Sequence, residues 1–248
     1  MRTPPNRIHL VLRIDGEAVP VSAPRPPLRA RLDELLPAQR AVDNAAIDHA
    51  VRKAAGAGKQ VTCAKGCSAC CRAQPVPVTP PEAYALLRLV EALPAARREQ
   101  VEARFDDCVK RLRGAGLADL LLDRADDLDA ERARGIAHAY FQLGLVCPFL
   151  DDDACSVHPQ RPFVCRQYLV SSDPALCADP FANKAEVIPM PLHAATAELA
   201  ISETAYGRAQ HCVPLTLALE YARRHRSELE RRLDAEPLFR QWLGALAG

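Results

Sequence analysis

Residues 63–71 read CAKGCSACC and place four thiols within nine positions. A more widely spaced second run follows downstream at Cys147, Cys155 and Cys165, with Cys177 soon after. Thiolates are soft ligands on short side chains, so several of them must converge to hold one inorganic centre. The two runs therefore predict a zinc site or an iron–sulfur cluster at which the distant segments meet.

The composition sets the limits of this prediction. The chain has 248 residues, 49% of them hydrophobic, which is enough to bury a core. Its 32 basic and 31 acidic residues leave a formal charge of +1, and aromatic residues make up only 5%. We therefore expect a metal ion as partner, with no nucleic acid and no membrane, and we leave any protein partner open.

The redox compartment follows from the start of the chain. Residues 1–16 lack the charged, apolar and cleavage segments of a secretory signal, and we find no apolar stretch of bilayer-spanning length. We expect a cytoplasmic protein, in which thiols stay reduced. Five disulfides are then a poor interpretation of the ten cysteines.

The N-terminal segment predicts a β-hairpin. Residues 8–14 and 17–21 favour strands and flank Asp15-Gly16, a two-residue turn signal. A proline-rich link follows at residues 23–27. Residues 28–57 then predict a helix that is interrupted or restarted at Pro37 and closed by glycines.

A second helix has a clear start. Thr79, Pro80 and Glu82 supply a hydroxyl N-cap, a proline in the first turn and a carboxylate that bonds back, so a helix should run to about Leu93. Helical patterns continue over residues 95–113, 117–122, 130–143, 193–222 and 227–247.

Residues 144–188 lack periodicity and are rich in proline, aspartate and cysteine, which favours irregular backbone. The fold class is therefore mainly α, a helical body with an irregular cysteine-rich metal-binding segment and a small N-terminal β-hairpin. We divide the chain into residues 1–27 (hairpin and link), 28–190 (cysteine-cluster metal-binding domain) and 191–248 (C-terminal helical extension packed on it).

The first run admits an alternative. In a helix, Cys63, Cys67, Cys70 and Cys71 would share one face and could simply fill a core stripe. Gly66 makes a regular helix less favourable. Adjacent Cys70 and Cys71 point in different directions, although a bridged or two-metal site could use both. Seven or eight thiols exceed one four-ligand site, so either two sites exist or several cysteines are spare.

Clustered thiolates need compensating charge. Arg161, Arg166, Arg72 and Lys65 lie next to cysteines in the sequence and could supply it. For each of them the alternative is an ordinary solvated base. The acidic run at residues 151–153 predicts a solvated turn, because it lacks the spacing of a calcium loop.

Several linked motifs resemble those of a known protein family. The sequence contains CAKGCSACCR, VPVTPPE and CPFL, followed by a cysteine, a valine and RPFVCR at residues 161–166. These motifs resemble the YkgJ-type cysteine-cluster family, a zinc- or iron-chelating CxxxCxxCC domain. The match covers residues 60 to about 180. It implies zinc or iron as cofactor, possibly as an iron–sulfur cluster, and as ligands Cys63, Cys67, Cys70, Cys71, Cys147, Cys155 and Cys165, with Cys177 as an additional one.

The chain also departs from that family. His158 stands where relatives commonly have an aromatic residue, and we expect it to be a non-ligand, since the cysteines already suffice. Cys108 and Cys212 fall outside the matched motifs and are expected to be structural thiols on helices. The hairpin and the helices after His193 lie outside the resemblance.

Three functions remain open at this stage, and whether the protein is an enzyme is uncertain. The leading one is a metal-binding protein whose centre staples the irregular segment onto the helices. The second is an iron–sulfur enzyme related to flagellin lysine N-methylase, although the sequence has no glycine-rich nucleotide loop of the strand-turn-helix kind. The third is a metal trafficking or sensing protein.

Overall fold

Helices dominate the computed structural model, which describes residues 6–123 and 129–246. The mainly α prediction is confirmed, with 55% of residues helical. The α-helices in these ranges are α1 (Leu36–Gly56), α2 (Pro80–Glu91), α3 (Ala95–Gly114), α4 (Ala118–Asp123), α5 (Ala130–Gln142), α6 (Phe163–Gln167), α7 (Ala194–Tyr206), α8 (Ala218–Arg224), α9 (Arg226–Leu229) and α10 (Ala235–Ala245).

The predicted N-terminal hairpin is confirmed. Strand β1 (Arg7–Ile14) pairs antiparallel with β2 (Glu17–Pro24), and Ile14 faces Glu17 across the turn. Asp15 and Gly16 both have positive φ, 52° and 83°, which is the backbone that a two-residue turn of this hand requires. Strand β2 packs on α1, so the hairpin covers one side of the helix.

Helix α1 begins later than predicted. Instead of a helix from residue 28, a short strand β3 (Arg29–Ala30) and a 3₁₀ turn (Leu32–Glu34) precede it. Strand β3 pairs with β8 (Leu233–Asp234), a partner far away in the sequence. Pro37 has no N–H to bond back along the chain, so an α-helical ladder could not run unbroken through it.

The predicted helix over residues 193–222 is broken. Helix α7 ends at Tyr206 because Gly207 takes the left-handed conformation, with φ 71°. The chain then forms β7 (Val213–Pro214), which pairs with β4 (Pro77–Val78), before α8 begins. The predicted helix over residues 227–247 is likewise divided by β8 into α9 and α10.

The segment predicted to be irregular is confirmed as such. Within residues 144–188 the regular elements are strands β5 (Leu150–Asp151) and β6 (Ala154–Cys155), two 3₁₀ turns (His158–Gln160 and Pro174–Ala178) and the single-turn helix α6. An isolated bridge joins Val170 to Val187. Most of this segment is therefore held by contacts with other elements rather than by its own backbone ladders.

A single large core joins these elements. Helix α2 packs on α8, α7 packs on α10, and buried side chains of the hairpin belong to the same cluster. The three-part division of the chain stays a prediction. Within the described residues, the helices are all too short or too polar to traverse a bilayer.

Candidate metal centre

The first cysteine run is a loop and not a helix. After α1 the chain makes a turn in which the Cys67 N–H donates to the Ala64 carbonyl (2.9 Å), and Gly66 occupies it with φ 91°. A short 3₁₀ turn, Cys70–Arg72, follows. The helical-stripe alternative is therefore wrong, since only Cys70 and Cys71 belong to a helical turn. All four thiols of this run are half-buried.

The second run meets the first directly through backbone. The Cys147 N–H donates to the carbonyl of Cys71 at 2.7 Å. Cys147 leads into the β5–β6 hairpin, where Cys155 pairs with Leu150. Two segments that are distant in the sequence thus lie against each other at their cysteines, as the spacing predicts.

An acidic turn of the β5–β6 hairpin is hydrogen-bonded to the first cysteine run. Asp152 and Asp153 have positive φ, 46° and 58°, and form the predicted turn between β5 and β6. Asp153 accepts a hydrogen bond from the Ser68 hydroxyl at 2.7 Å and is paired with the Arg72 guanidinium. Hydrogen bonds from Ser68 and then from Arg72 hold the pKa of the Asp153 carboxyl below its ordinary value.

Cys177 lies beside the first run, on a 3₁₀ turn of the irregular segment. Its 3₁₀ turn packs against the turn that carries Cys70. Gln74 joins the two: its backbone N–H donates to the Cys70 carbonyl at 3.3 Å, and its side-chain amide donates to the Cys177 carbonyl at 2.6 Å. The Tyr168 hydroxyl bonds to the buried Cys177 thiol.

Cys63 is held by the backbone that precedes Cys177. The Thr62 N–H donates to the Val170 carbonyl at 3.0 Å, and the nearby Val170 N–H partly offsets the rise that burial causes in the pKa of Cys63. The Thr62 hydroxyl adds a bond to the Ser172 carbonyl at 2.5 Å. The start of the first run is therefore fixed to the irregular segment.

Cys165 lies on α6, and a carboxylate from α2 fixes that helix. Glu82 is fully buried and accepts from the Thr79 N–H (3.0 Å) and hydroxyl (2.9 Å), which confirms the predicted capping box. Its other oxygen accepts from the Phe163 N–H at 2.6 Å, at the first residue of α6. The sequence predicted the first role of Glu82 but gave no signal of the second, because the partner is distant.

The thiols lie within electrostatic reach of one another. Burial raises the pKa of Cys147 to about 12 and that of Cys165 well above its ordinary value, and neighbouring thiols add to both shifts. The pKa of Cys177 is raised by burial and by Cys70, Cys63 and Cys67. The backbone bond between Cys147 and Cys71 and these couplings agree that the two runs are neighbours.

Arg161 is the base that faces these thiols. Its charge favours the thiolate forms of Cys63, Cys70, Cys155 and Cys165. Burial lowers the pKa of Arg161 itself, and its Nε atom is buried without a hydrogen-bond partner. In residues 6–123 and 129–246 it forms no ion pair with a carboxylate. A half-buried cation in this state fits a region that becomes anionic.

The other three bases predicted to neutralise the thiols have different surroundings. Arg166 is buried and paired with Asp43 at 3.2 Å. Arg72 is paired with Asp153, and Lys65 is exposed.

The donor set fits zinc or iron in chemistry, and the side chains would have to shift to bind it. Eight half-buried or buried thiols, and a guanidinium whose buried Nε has no hydrogen-bond partner in the described part of the chain, are groups that suit a thiolate-bound metal. As they stand, however, no three histidine, cysteine or acidic side chains in the described part of the chain are disposed to hold one ion. The backbone brings the cysteines together, and the assignment of ligands stays a proposal.

Three further residues were considered in the sequence: His158, Cys108 and Cys212. His158 is exposed, and partial burial together with Arg161 and Arg166 lowers its pKa. Cys108 is buried on α3, as predicted, and its thiol contacts the Val146 carbonyl at 3.9 Å. Cys212 was expected on a helix and is instead in the loop before β7, because α7 has already ended at Gly207.

The fold and the site together define a mainly α protein with a cysteine-lined centre between a loop and an irregular segment. A model of the CxxCxxCC family, described as "Putative zinc- or iron-chelating domain", matches residues 62–212. Because this is more than half of the chain, the chain belongs to that family. Comparison with curated proteins and with solved structures gave no match.

The matched range corrects one expectation. It extends well beyond residue 180 and includes α7 and Cys212, so the helices after His193 are only partly outside the family region. The hairpin β1–β2 lies outside it, as expected. Family membership supports metal binding as the general function of the chain.

Proposed function

We propose that this protein binds zinc or iron through Cys63, Cys67, Cys70, Cys71, Cys147, Cys155, Cys165 and Cys177, and that the centre staples the irregular segment to the helical body. The observation that supports this most is the meeting of the two cysteine runs at the Cys147–Cys71 backbone bond, near Arg161, whose buried Nε has no hydrogen-bond partner among the described residues. When bound, the metal would add a cross-link to the hydrogen bonds that already join these segments.

The environment of the thiols favours this structural role over metal trafficking. Burial raises the pKa of Cys63, Cys147, Cys155 and Cys165, whereas reactive, exchanging thiols have a lowered pKa and are exposed. Enclosed thiolates beside a guanidinium retain an ion and release it slowly. The trafficking and N-methylase alternatives stay predictions, as does the cytoplasmic location.

Anaerobic purification followed by metal analysis and a visible spectrum tests the proposal. A brown protein with acid-labile sulfide identifies an iron–sulfur centre, and a colourless protein that contains zinc identifies a zinc centre. Protein that contains neither metal, and that binds neither Zn²⁺ nor Fe²⁺ after reduction of its thiols, would refute it. The variant Cys212→Ser serves as the control, because that half-buried thiol belongs to neither run of the sequence.

A further inference from the structure

The N-terminal hairpin has an open edge along β1. Within the described residues its sheet consists of β1 and β2 alone, so one side of each strand is not bonded to another strand. A free edge presents backbone N–H and C=O groups that a further strand can use, and proteins commonly block such an edge with proline or with a covering element. The two edges of this hairpin differ in that respect.

The pattern of the ladder shows which residues of β1 face the free edge. At the open end of the hairpin the Arg25 N–H donates to the Asn6 carbonyl at 2.9 Å. Because bonded and non-bonded pairs alternate along an antiparallel ladder, the even-numbered residues from Ile8 to Ile14 bond to β2. The N–H and C=O groups of the odd-numbered residues point outward, and the described part of the chain supplies them with no hydrogen bond from outside the ladder. These residues are Arg7, His9, Val11 and Arg13.

Proline blocks the corresponding edge of β2. Pro20 lies opposite Val11 and Pro24 lies opposite Arg7, so the backbone of both prolines faces away from β1. Since proline has no N–H, these positions cost the hairpin no hydrogen bond and remove two donors from the outer edge of β2. Helix α1 also packs on β2. Strand β1 contains no proline, and its edge is therefore the one that can accept another strand.

The outer face of β1 is basic. Arg7, His9 and Arg13 share this face with Val11, which is 67% exposed, and the β2 residues opposite these four are uncharged. Arg7 donates to the Ser22 hydroxyl at 2.8 Å and to the Ser22 carbonyl, which are neutral partners. In residues 6–123 and 129–246 neither Arg7 nor Arg13 forms an ion pair with a carboxylate. Positive charge that no carboxylate offsets favours an anionic partner.

We propose that the β1 edge binds an extended acidic segment of another protein as a third strand of the hairpin. The segment bonds through its backbone to the outward N–H and C=O groups of β1, and its acidic side chains lie beside Arg7 and Arg13. Opposite charges on adjacent strands stabilise such a pairing. A second copy of β1 fits less well, because each antiparallel register that aligns most of the strand sets one basic side chain against another. The hairpin lies outside residues 62–212, and the proposal does not depend on metal binding.

A synthetic strand of defined sequence tests the site. The probe is the peptide Glu-Thr-Val-Thr-Glu-Thr-Glu, whose antiparallel pairing sets valine beside Val11 and glutamates beside Arg7, His9 and Arg13. Amide hydrogen exchange of the ¹⁵N-labelled full chain is followed by NMR at about 1 mM peptide. We expect exchange at the amides of His9, Val11 and Arg13 to slow about tenfold, because each becomes bonded to the peptide. Unchanged exchange at these amides would overturn the proposal.

The charge of the partner is tested with a second peptide. The same peptide with lysine in place of each glutamate should bind the full chain about tenfold more weakly, as measured by NMR titration. Arg13→Glu should reduce this preference, since it reverses one charge of the edge and removes no backbone group. Equal affinity of the wild type for the two peptides would overturn the acidic partner. Sedimentation of the full chain alone tests the other occupant: a dimer that Arg13→Glu strengthens would identify a second copy and would likewise overturn the proposal.

Matched proline variants locate the edge. Val11→Pro removes an outward N–H of β1 and no bond between β1 and β2, and it should weaken binding of the glutamate peptide about tenfold. Ala18→Pro makes the same change on the outer edge of β2 and should leave the affinity unchanged. Equal losses in the two variants would overturn the role of β1. Circular dichroism establishes that both variants are folded, and Arg13→Glu decides the matter if Val11→Pro is not.

Discussion

At the scale of single residues, Arg161 is the most informative side chain. Arginine cannot shed its charge, so a guanidinium with a buried, unpartnered Nε is costly unless an anion compensates it. The charges that favour its protonated form are those of Cys165 and Cys155 when they are thiolates, and then that of Asp43. Sequence proximity alone could not distinguish it from Arg166, whose charge is taken up by Asp43.

Replacement of this charge should weaken metal binding. We expect Arg161→Gln to raise the dissociation constant for Zn²⁺ about tenfold, equivalent to about 1.4 kcal/mol, because one nearby cation no longer offsets the thiolates. Competition with a chromophoric chelator measures the change. Arg161→Lys should recover part of the affinity, and Arg52→Gln, at an exposed position on α1, should leave it unchanged. Equal affinity in Arg161→Gln and wild type would contradict this role.

Asp153 offers a pH-dependent readout at the same scale. Its pKa is held below 3.8 in the folded chain by Ser68 and Arg72, so its ionised form contributes stability above that pH. The contribution is lost as the pH falls through the lowered value. We expect Arg72→Gln to move the Asp153 pKa up toward 3.8, as measured by carboxyl ¹³C NMR titration. Lys65→Gln should not move it, and an unchanged pKa in Arg72→Gln would exclude the ion pair.

At the scale of elements, Glu82 supports two helices at once. We expect Glu82→Gln to lower the free energy of unfolding by about 2 kcal/mol, because the new amide presents a donor where the buried N–H of Thr79 or Phe163 needs an acceptor. Chemical denaturation measures the loss. Glu131→Gln is the matched control, since Glu131 is exposed in the first turn of α5. A loss no greater than that of the control would show that Glu82 does not hold α6.

The ion pair that joins α1 to α6 should also contribute to the free energy of unfolding. Asp43 is fully buried and pairs with the nearly buried Arg166, so Asp43→Asn leaves a cation without its counter-charge. We expect the free energy of unfolding to fall by about 3 kcal/mol. Asp119→Asn, whose exposed partner Arg224 is 3.5 Å away, should cost less than about 1 kcal/mol. Similar losses in the two variants would contradict this account.

The elements also show which parts of the fold a sequence can predict. Asp15-Gly16 and the box at Thr79 and Glu82 act within a few residues, and both predictions are confirmed. The breaks at residues 28–35 and 207–217 were missed because strands β3 and β7 depend on partners far along the chain. Local propensity cannot contain that information.

The same limit holds for the centre. Soft ligands in two runs predicted that distant segments meet, and the Cys147–Cys71 bond agrees with this. The sequence could not show which bases face the thiols, because Arg166 and Arg72 pair instead with the carboxylates of Asp43 and Asp153. Only the tertiary structure brings those carboxylates near.

At the scale of the whole molecule, an aromatic contact joins the helix that carries Cys165 to the C-terminal helix α10. Phe163 lies two residues before Cys165 and packs against Trp242 of α10, with ring centroids 6.3 Å apart. Trp242 is fully buried and is the one tryptophan of the chain. Helix α6 has only five residues, too few to be stable alone, so it depends on Glu82, on this packing and on Cys165.

Removal of the metal should therefore change the fluorescence of Trp242 on α10. We expect a chelator to change the fluorescence of Trp242 with the same midpoint as metal loss, because α6 loosens once Cys165 is released and the contact between Phe163 and Trp242 changes. Phe163→Leu should reduce the response. Phe239→Leu, which removes the other ring stacked on Trp242 at 5.9 Å, should retain it. Fluorescence that stays constant while the metal is removed would show that α6 keeps its place without the centre, and the staple would then have to act on the loop of residues 63–71 alone.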